Sequence, residues 1–168
     1  LQNDVIVATY NDLLDEETIT LPSAGIYQLR VHAKEVNGFH RIKFNNSGDK
    51  LKLSSIDNWG SIVWSNFISA FYGCSNMVGN FTDIPDLSNV TDMSSMFRGA
   101  TSFNSDVSQW NVSNVTDMGF MFRDASSFNS DISNWNVSNV ITMWFMFSGA
   151  SSFGSDISQW NVSNVTNM

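Results

Sequence analysis

A 25-residue period governs this chain. Trp110, Trp135 and Trp160 are 25 apart, as are Met93, Met118, Met143 and Met168, and Phe97, Phe122 and Phe147. Superposing residues 93–117, 118–142 and 143–167 leaves 15 of 25 positions identical in all three rows. A degenerate copy precedes them: Phe71, Gly73, Cys74 and Met77 stand 26 residues before Phe97, Gly99, Ala100 and Phe103. A unit this short cannot bury its apolar side chains alone, so successive copies must cover one another. The period lies in the 20–29-residue range of leucine-rich-repeat-like solenoids and is too short for ankyrin-type helical hairpins or propeller blades.

Two patterns alternate inside the unit. Val115, Met118, Met121, Phe122 and Ala125 are spaced 3, 3, 1 and 3, which predicts one face of a short helix, with Thr116 as its N-cap and Asp117 near its positive end. Residues 105–110 are short, polar at alternate positions and β-compatible, and predict a short strand, with 111–114 as the turn after it. The expected fold is therefore an α/β solenoid: a leucine-rich-repeat-like right-handed coil with one short parallel strand and one short helix per repeat. Residues 1–56 differ in composition, holding six of the eight basic residues. Strand-like alternation at 18–21, 26–31 and 41–44 predicts a small N-terminal β cap over 1–56, since a solenoid needs its end layer covered. Residues 57–168 are then the repeat region, with degenerate first coils, regular repeats at 93–117, 118–142 and 143–167, and truncation at the C-terminus. Leu1 follows no leader segment, as expected of a mature or trimmed chain.

Stacked copies turn equivalent residues into ladders. Trp110, Trp135 and Trp160 form one structural ladder. Asn114, Asn139 and Asn164 form another, suited to a buried turn in which side-chain amides bond backbone groups of a neighbouring coil. Asp106, Asp131 and Asp156 place one carboxylate per coil. Parallel strands lie ~4.8 Å apart, so these must be solvated, bonded to backbone N–H groups or bridged by a cation. An Asp capping its own turn is the primary reading. Calcium, which takes six to eight oxygens, is the alternative, with help from Ser105 or Asn104. Cys74 stands where later repeats have Ala100, Ala125 and Ala150, a small buried position rather than a reactive thiol. Phe120, Trp144 and Phe145 fall off the predicted core face and are the candidate binding residues. The competing reading is packing between neighbouring helices.

The charge balance narrows the function. Sixteen acidic residues against eight basic ones give a formal net charge of -8, which argues against nucleic-acid binding and a polybasic membrane anchor. No apolar run approaches the ~20 residues of a membrane span. One cysteine and two histidines exclude a disulfide framework and a Cys- or His-based metal centre. A phosphate loop, a His-Glu zinc motif and a nucleophile elbow are all missing, so no catalytic residues are assigned.

The segments Asn114-Val115-Thr116-Asp117-Met118-Gly119-Phe120-Met121-Phe122 and Ser127-Phe128-Asn129-Ser130-Asp131-Ile132-Ser133-Asn134-Trp135-Asn136-Val137-Ser138 resemble the BspA-type bacterial surface-protein repeat, also described as a domain of unknown function in mycoplasmas. The resemblance covers residues 57–168. It implies a leucine-rich-repeat-like fold on a secreted or cell-surface protein, with adhesion in some members and no enzyme activity. The leucines of standard leucine-rich repeats are missing here. The expected function is non-catalytic adhesion or protein–protein contact, toward a host, matrix or envelope protein or glycan, without nucleic acid or membrane insertion. A structural spacer is the alternative. A carbohydrate-binding module, resting on the Asp and Trp ladders, comes third.

Overall fold

The computed structural model describes residues 41–168. The expected strands at 18–21 and 26–31, and both histidines, lie outside the described residues.

The local backbone overturns the expected α/β architecture. Among the described residues there is no helix, and the one sheet is a parallel pair, β1 (Ser55–Ile56) with β2 (Val78–Gly79). A leucine-rich-repeat solenoid of strand and helix does not describe it. Each repeat is instead a succession of hydrogen-bonded turns. In 118–125 the peptide groups alternate between two jobs. The amides of Met118, Phe120, Phe122 and Asp124 donate to the carbonyls of Thr142, Trp144, Met146 and Ser148, at 2.8–3.0 Å. Those of Met121, Arg123 and Ala125 donate three residues back, to Met118, Phe120 and Phe122. An α-helix needs the i→i−4 bond at every residue, and here every second amide already serves the next repeat. The same alternation runs through 93–100 and 67–74.

The left-handed region enforces this alternation. Ser69, Ser95, Phe120 and Phe145 have φ of 54°, 56°, 58° and 52°, and four residues on Gly73, Gly99, Asp124 and Gly149 are left-handed again. A right-handed helix cannot pass through such residues. Nor is Thr116 a helix cap: its hydroxyl donates to Thr91 O, while Asp117 Oδ1 accepts the Gly119 N–H at 2.8 Å.

The expected strand at 105–110 is also a turn. Asp106 Oδ1 accepts the Ser108 N–H at 2.9 Å, and Trp110 N–H donates to Val107 O at 3.1 Å. Asp131 and Asp156 repeat the arrangement. Parallel pairing between repeats falls elsewhere, at isolated bridges joining Asp92 to Asp117, Asp117 to Thr142 and Thr142 to Asn167. Residues 41–56 connect to the next segment in the same manner: Arg41 bridges Asn66, Phe44 N–H donates to Ala70 O, and Val78 N–H donates to Ser54 O.

Apolar burial follows the sequence spacing although the elements do not. Val115, Met118, Met121, Phe122 and Ala125 are all buried. The core contains two files of parallel rings. Phe71, Phe97, Phe122 and Phe147 stack at 5.6–5.9 Å between centroids, and Phe103, Phe128 and Phe153 at 5.8–6.2 Å. Within a repeat the files touch at 3.8–4.0 Å, as in Phe122 against Phe128. Aromatic pairs contribute ~0.5–1.5 kcal/mol each beyond their area burial. Trp59 packs edge-on against Phe67, Phe71 and Trp110, and the Asp83 carboxylate accepts its backbone N–H and that of Gly60.

Candidate functional site: an arginine–aromatic column

The turn at 118–120 decides what reaches the surface. Its third residue is left-handed and its amide is tied to the next repeat, so the side chain there stands outside the ring files. In 93–117 that residue is Ser95; in the next two repeats it is Phe120 and Phe145. In the last described repeat Trp144, one position earlier, is 50% exposed and Phe145, which also lines the open end beside Met168, is 47% exposed, whereas Phe120, followed by another repeat, is half-buried. The three rings meet: Phe120 lies 5.7 Å from Trp144 and 5.9 Å from Phe145, and Trp144 lies 5.3 Å from Phe145. The structure thus brings together all three residues singled out from the sequence as off the core face.

Two arginines complete the cluster. Arg98 Cζ sits 4.8 Å from the Tyr72 ring centroid and 5.3 Å from that of Phe120. Arg123 Cζ sits 5.6 Å from both Phe120 and Phe145. The order across four repeats is ring, cation, ring, cation, ring. Each such contact is worth ~0.5–1 kcal/mol at an exposed site. Arg123 Nε also approaches Asp124 Oδ2 at 3.4 Å, outside hydrogen-bond geometry. Sequence reasoning missed both arginines, yet a signal was present: Arg98 and Arg123 are the only basic residues after position 56 and stand one period apart.

The ladders have other duties. Each carboxylate of Asp106, Asp131 and Asp156 is bonded by the Ser two residues on, through its hydroxyl and its backbone N–H, and these bonds hold its pKa below the ordinary value. Among the described residues no group of three or more His, Cys, Asp or Glu side chains is placed to hold a metal ion. Asn114, Asn139 and Asn164 are exposed, not buried; their Nδ2 groups donate to Ser88 O, Ser113 O and Ser138 O of the preceding repeat at 2.7–2.8 Å. Trp110, Trp135 and Trp160 are buried. The indoles of Trp135 and Trp160 donate to Val107 O and Ile132 O, 28 residues earlier. These two ladders bind repeat to repeat. Burial pushes the Cys74 thiol up to about 12, against a smaller opposing pull from Lys50.

Residues 65–168 match the family described as Mycoplasma protein of unknown function, DUF285. That is more than half of the chain, and the protein belongs to this family. No curated protein and no solved structure matches it.

Proposed function

We propose that the chain is a non-catalytic adhesion module of a secreted or cell-surface protein, and that it contacts a partner protein through the column of Tyr72, Arg98, Phe120, Arg123, Phe145 and Trp144. One observation carries this reading. Among the described residues seven non-glycine residues have positive φ; five are Asn, Ser or Asp, and the other two are Phe120 and Phe145. A bulky side chain in this region is an outlier, and the conformation costs roughly 1–2 kcal/mol per residue. Repeat 93–117 makes the same turn with a serine, so the fold does not require a ring there. Backbone strain held at an exposed aromatic is the kind that function retains. Large exposed apolar clusters with arginine are also the composition of protein-binding surfaces.

The test is Phe145→Asn, because asparagine tolerates the left-handed region. Its stability should stay within about 1 kcal/mol of the parent, while capture of partners from an array of matrix and envelope proteins should fall. A parent chain that captures nothing across such an array would instead support a spacer.

A further inference from the structure

We infer that the partner seated on the arginine–aromatic column is a second copy of this chain, which offers its row of Asp106, Asp131 and Asp156 to Arg98 and Arg123. The inference rests on the adhesion reading of the same column and specifies its ligand.

Ring geometry selects among partner classes. Phe120 has a guanidinium from Arg98 and another from Arg123 against it, and Phe145 stacks on both Phe120 and Trp144 at interplanar angles of 23° and 26°. A sugar ring stacks on a free aromatic face, and most of these faces are already taken. Both guanidiniums are flanked by rings; Arg123 Nε is buried, which leaves the Nη groups of that residue and the Arg98 guanidinium to meet a partner. A guanidinium edge fits a carboxylate with two parallel hydrogen bonds. Among the described residues no carboxylate forms an ion pair with Arg98, whereas Arg123 Nε pairs with Asp124 Oδ2 at 3.4 Å, without hydrogen-bond geometry.

Charge and spacing then point to the chain itself. The column holds every basic residue after position 56, in a chain of net charge -8. Everything else in residues 57–168 is neutral or acidic, so within the repeats the column is where an acidic surface is attracted. Arg98 and Arg123 are 25 residues apart, as are Asp106, Asp131 and Asp156. Both rows therefore advance by the same rise per repeat, and two copies side by side keep cation opposite carboxylate at successive repeats. The Asp side chains suit the role. Oδ1 of each is held by a Ser N–H of its own turn, and the same serine's hydroxyl also favours the charged carboxylate, which fixes the group and keeps it ionised at the surface. Because column and row are different surfaces of one molecule, the contact is heterologous and does not close on itself.

Sedimentation of the full 168-residue chain over a wide concentration range tests the inference. At about 0.15 M salt, where the Debye length is ~8 Å, the weight-average mass should rise with concentration past that of a dimer. Association should weaken at ~1 M salt, as the ion pairs are screened, and again at ~0.01 M, where the net charges repel over ~30 Å. Association driven by Trp144 and Phe145 alone would strengthen with salt throughout, and that result would overturn the proposal. The double variants Arg98→Glu/Arg123→Glu and Asp106→Lys/Asp131→Lys should each be monomeric, and an equimolar mixture of the two should associate. Where a swapped variant unfolds, Arg98→Gln/Arg123→Gln and Asp106→Asn/Asp131→Asn, which keep shape and the Oδ1 acceptor, decide instead; each should be monomeric, and continued association would refute the contact. A parent chain that stays monomeric at every salt level while still capturing proteins from the array would sink the second-copy ligand and leave the adhesion reading standing.

Discussion

At the scale of single residues, the carboxylates divide by environment. Asp86, Asp106, Asp131 and Asp156 accept hydrogen bonds from serines two residues on, and these hold their pKa values down. Their folded-state pKa lies below the unfolded one, so the stability they add is present above the unfolded value and is lost as pH falls through the folded value. Asp117 behaves oppositely. Burial raises its pKa, against the hydrogen bond from Gly119, and the neighbouring Asp92 adds to the rise. Its folded pKa exceeds the unfolded one, so stability declines as pH rises from the unfolded value through the folded value. The chain contains its own control, since the equivalent Asn66 accepts the Ile68 N–H through Oδ1 at 2.8 Å without a charge. Asp117→Asn should therefore be more stable than the parent at pH 7 and no different well below pH 4, as read from thermal melts across pH. An equal gain at all pH values would show that desolvation of the charge is not the cause. Cys74→Ala reproduces the residue of the later repeats and should cost less than about 1.5 kcal/mol, and the native thiol should resist alkylation at neutral pH.

Turns, rather than helices and strands, are the elements of this molecule, and they are where the sequence was hardest to read. The spacing of Met118, Met121, Phe122 and Ala125 correctly marks what is buried, because three-residue turns and helices bring similar positions to one side. It cannot distinguish them. The distinguishing signal is the left-handed residue pair, and glycine shows it at Gly73, Gly99 and Gly149. The other member is Ser or Phe, and Phe carries no such signature. At 105–110 the polar alternation came from Asp106 and Ser108 bonding each other in a turn, a pattern that imitates the polar face of a strand. The off-core position of Phe120, Trp144 and Phe145 was legible, but the arginines beside them were not, since three of their four ring contacts come from neighbouring repeats. Far-UV circular dichroism of residues 41–168 should accordingly lack the paired minima of a helix. Two substitutions separate ring-file from surface phenylalanines: Phe122→Ala should cost ~3–5 kcal/mol, whereas Phe145→Asn should cost at most about 1 kcal/mol. Equal losses would place Phe145 in the packing.

Across the whole stack, each repeat depends on its neighbours, and the last described one has a neighbour on one side. The methionines record this: Met93 and Met118 are fully buried, Met143 is 6% exposed, and Met168 is 76% exposed. Beside Met168 lies a cavity of about 540 Å³, lined mainly by apolar side chains including Met143, Phe147, Ile157, Trp160 and Val162. The backbone is incomplete there too. Phe120, Phe122 and Asp124 donate to the repeat after them, and the equivalent amides of Phe145, Phe147 and Gly149 make no such bond. A further copy of residues 119–142 joined after Met168, which already holds the place of Met118, would supply carbonyls for these three amides and extend both ring files. In a nearest-neighbour stack the added interface outweighs the cost of ordering one more unit, and covering a side chain such as Met168 is worth ~1.5–3 kcal/mol. For a chain of this length each 1 kcal/mol raises Tm by ~2–4 °C. The extended protein should melt several degrees higher, in one transition, with less binding of a hydrophobic dye. A separate low-temperature transition for the added segment would mean that equivalence of sequence is not enough for it to join the stack.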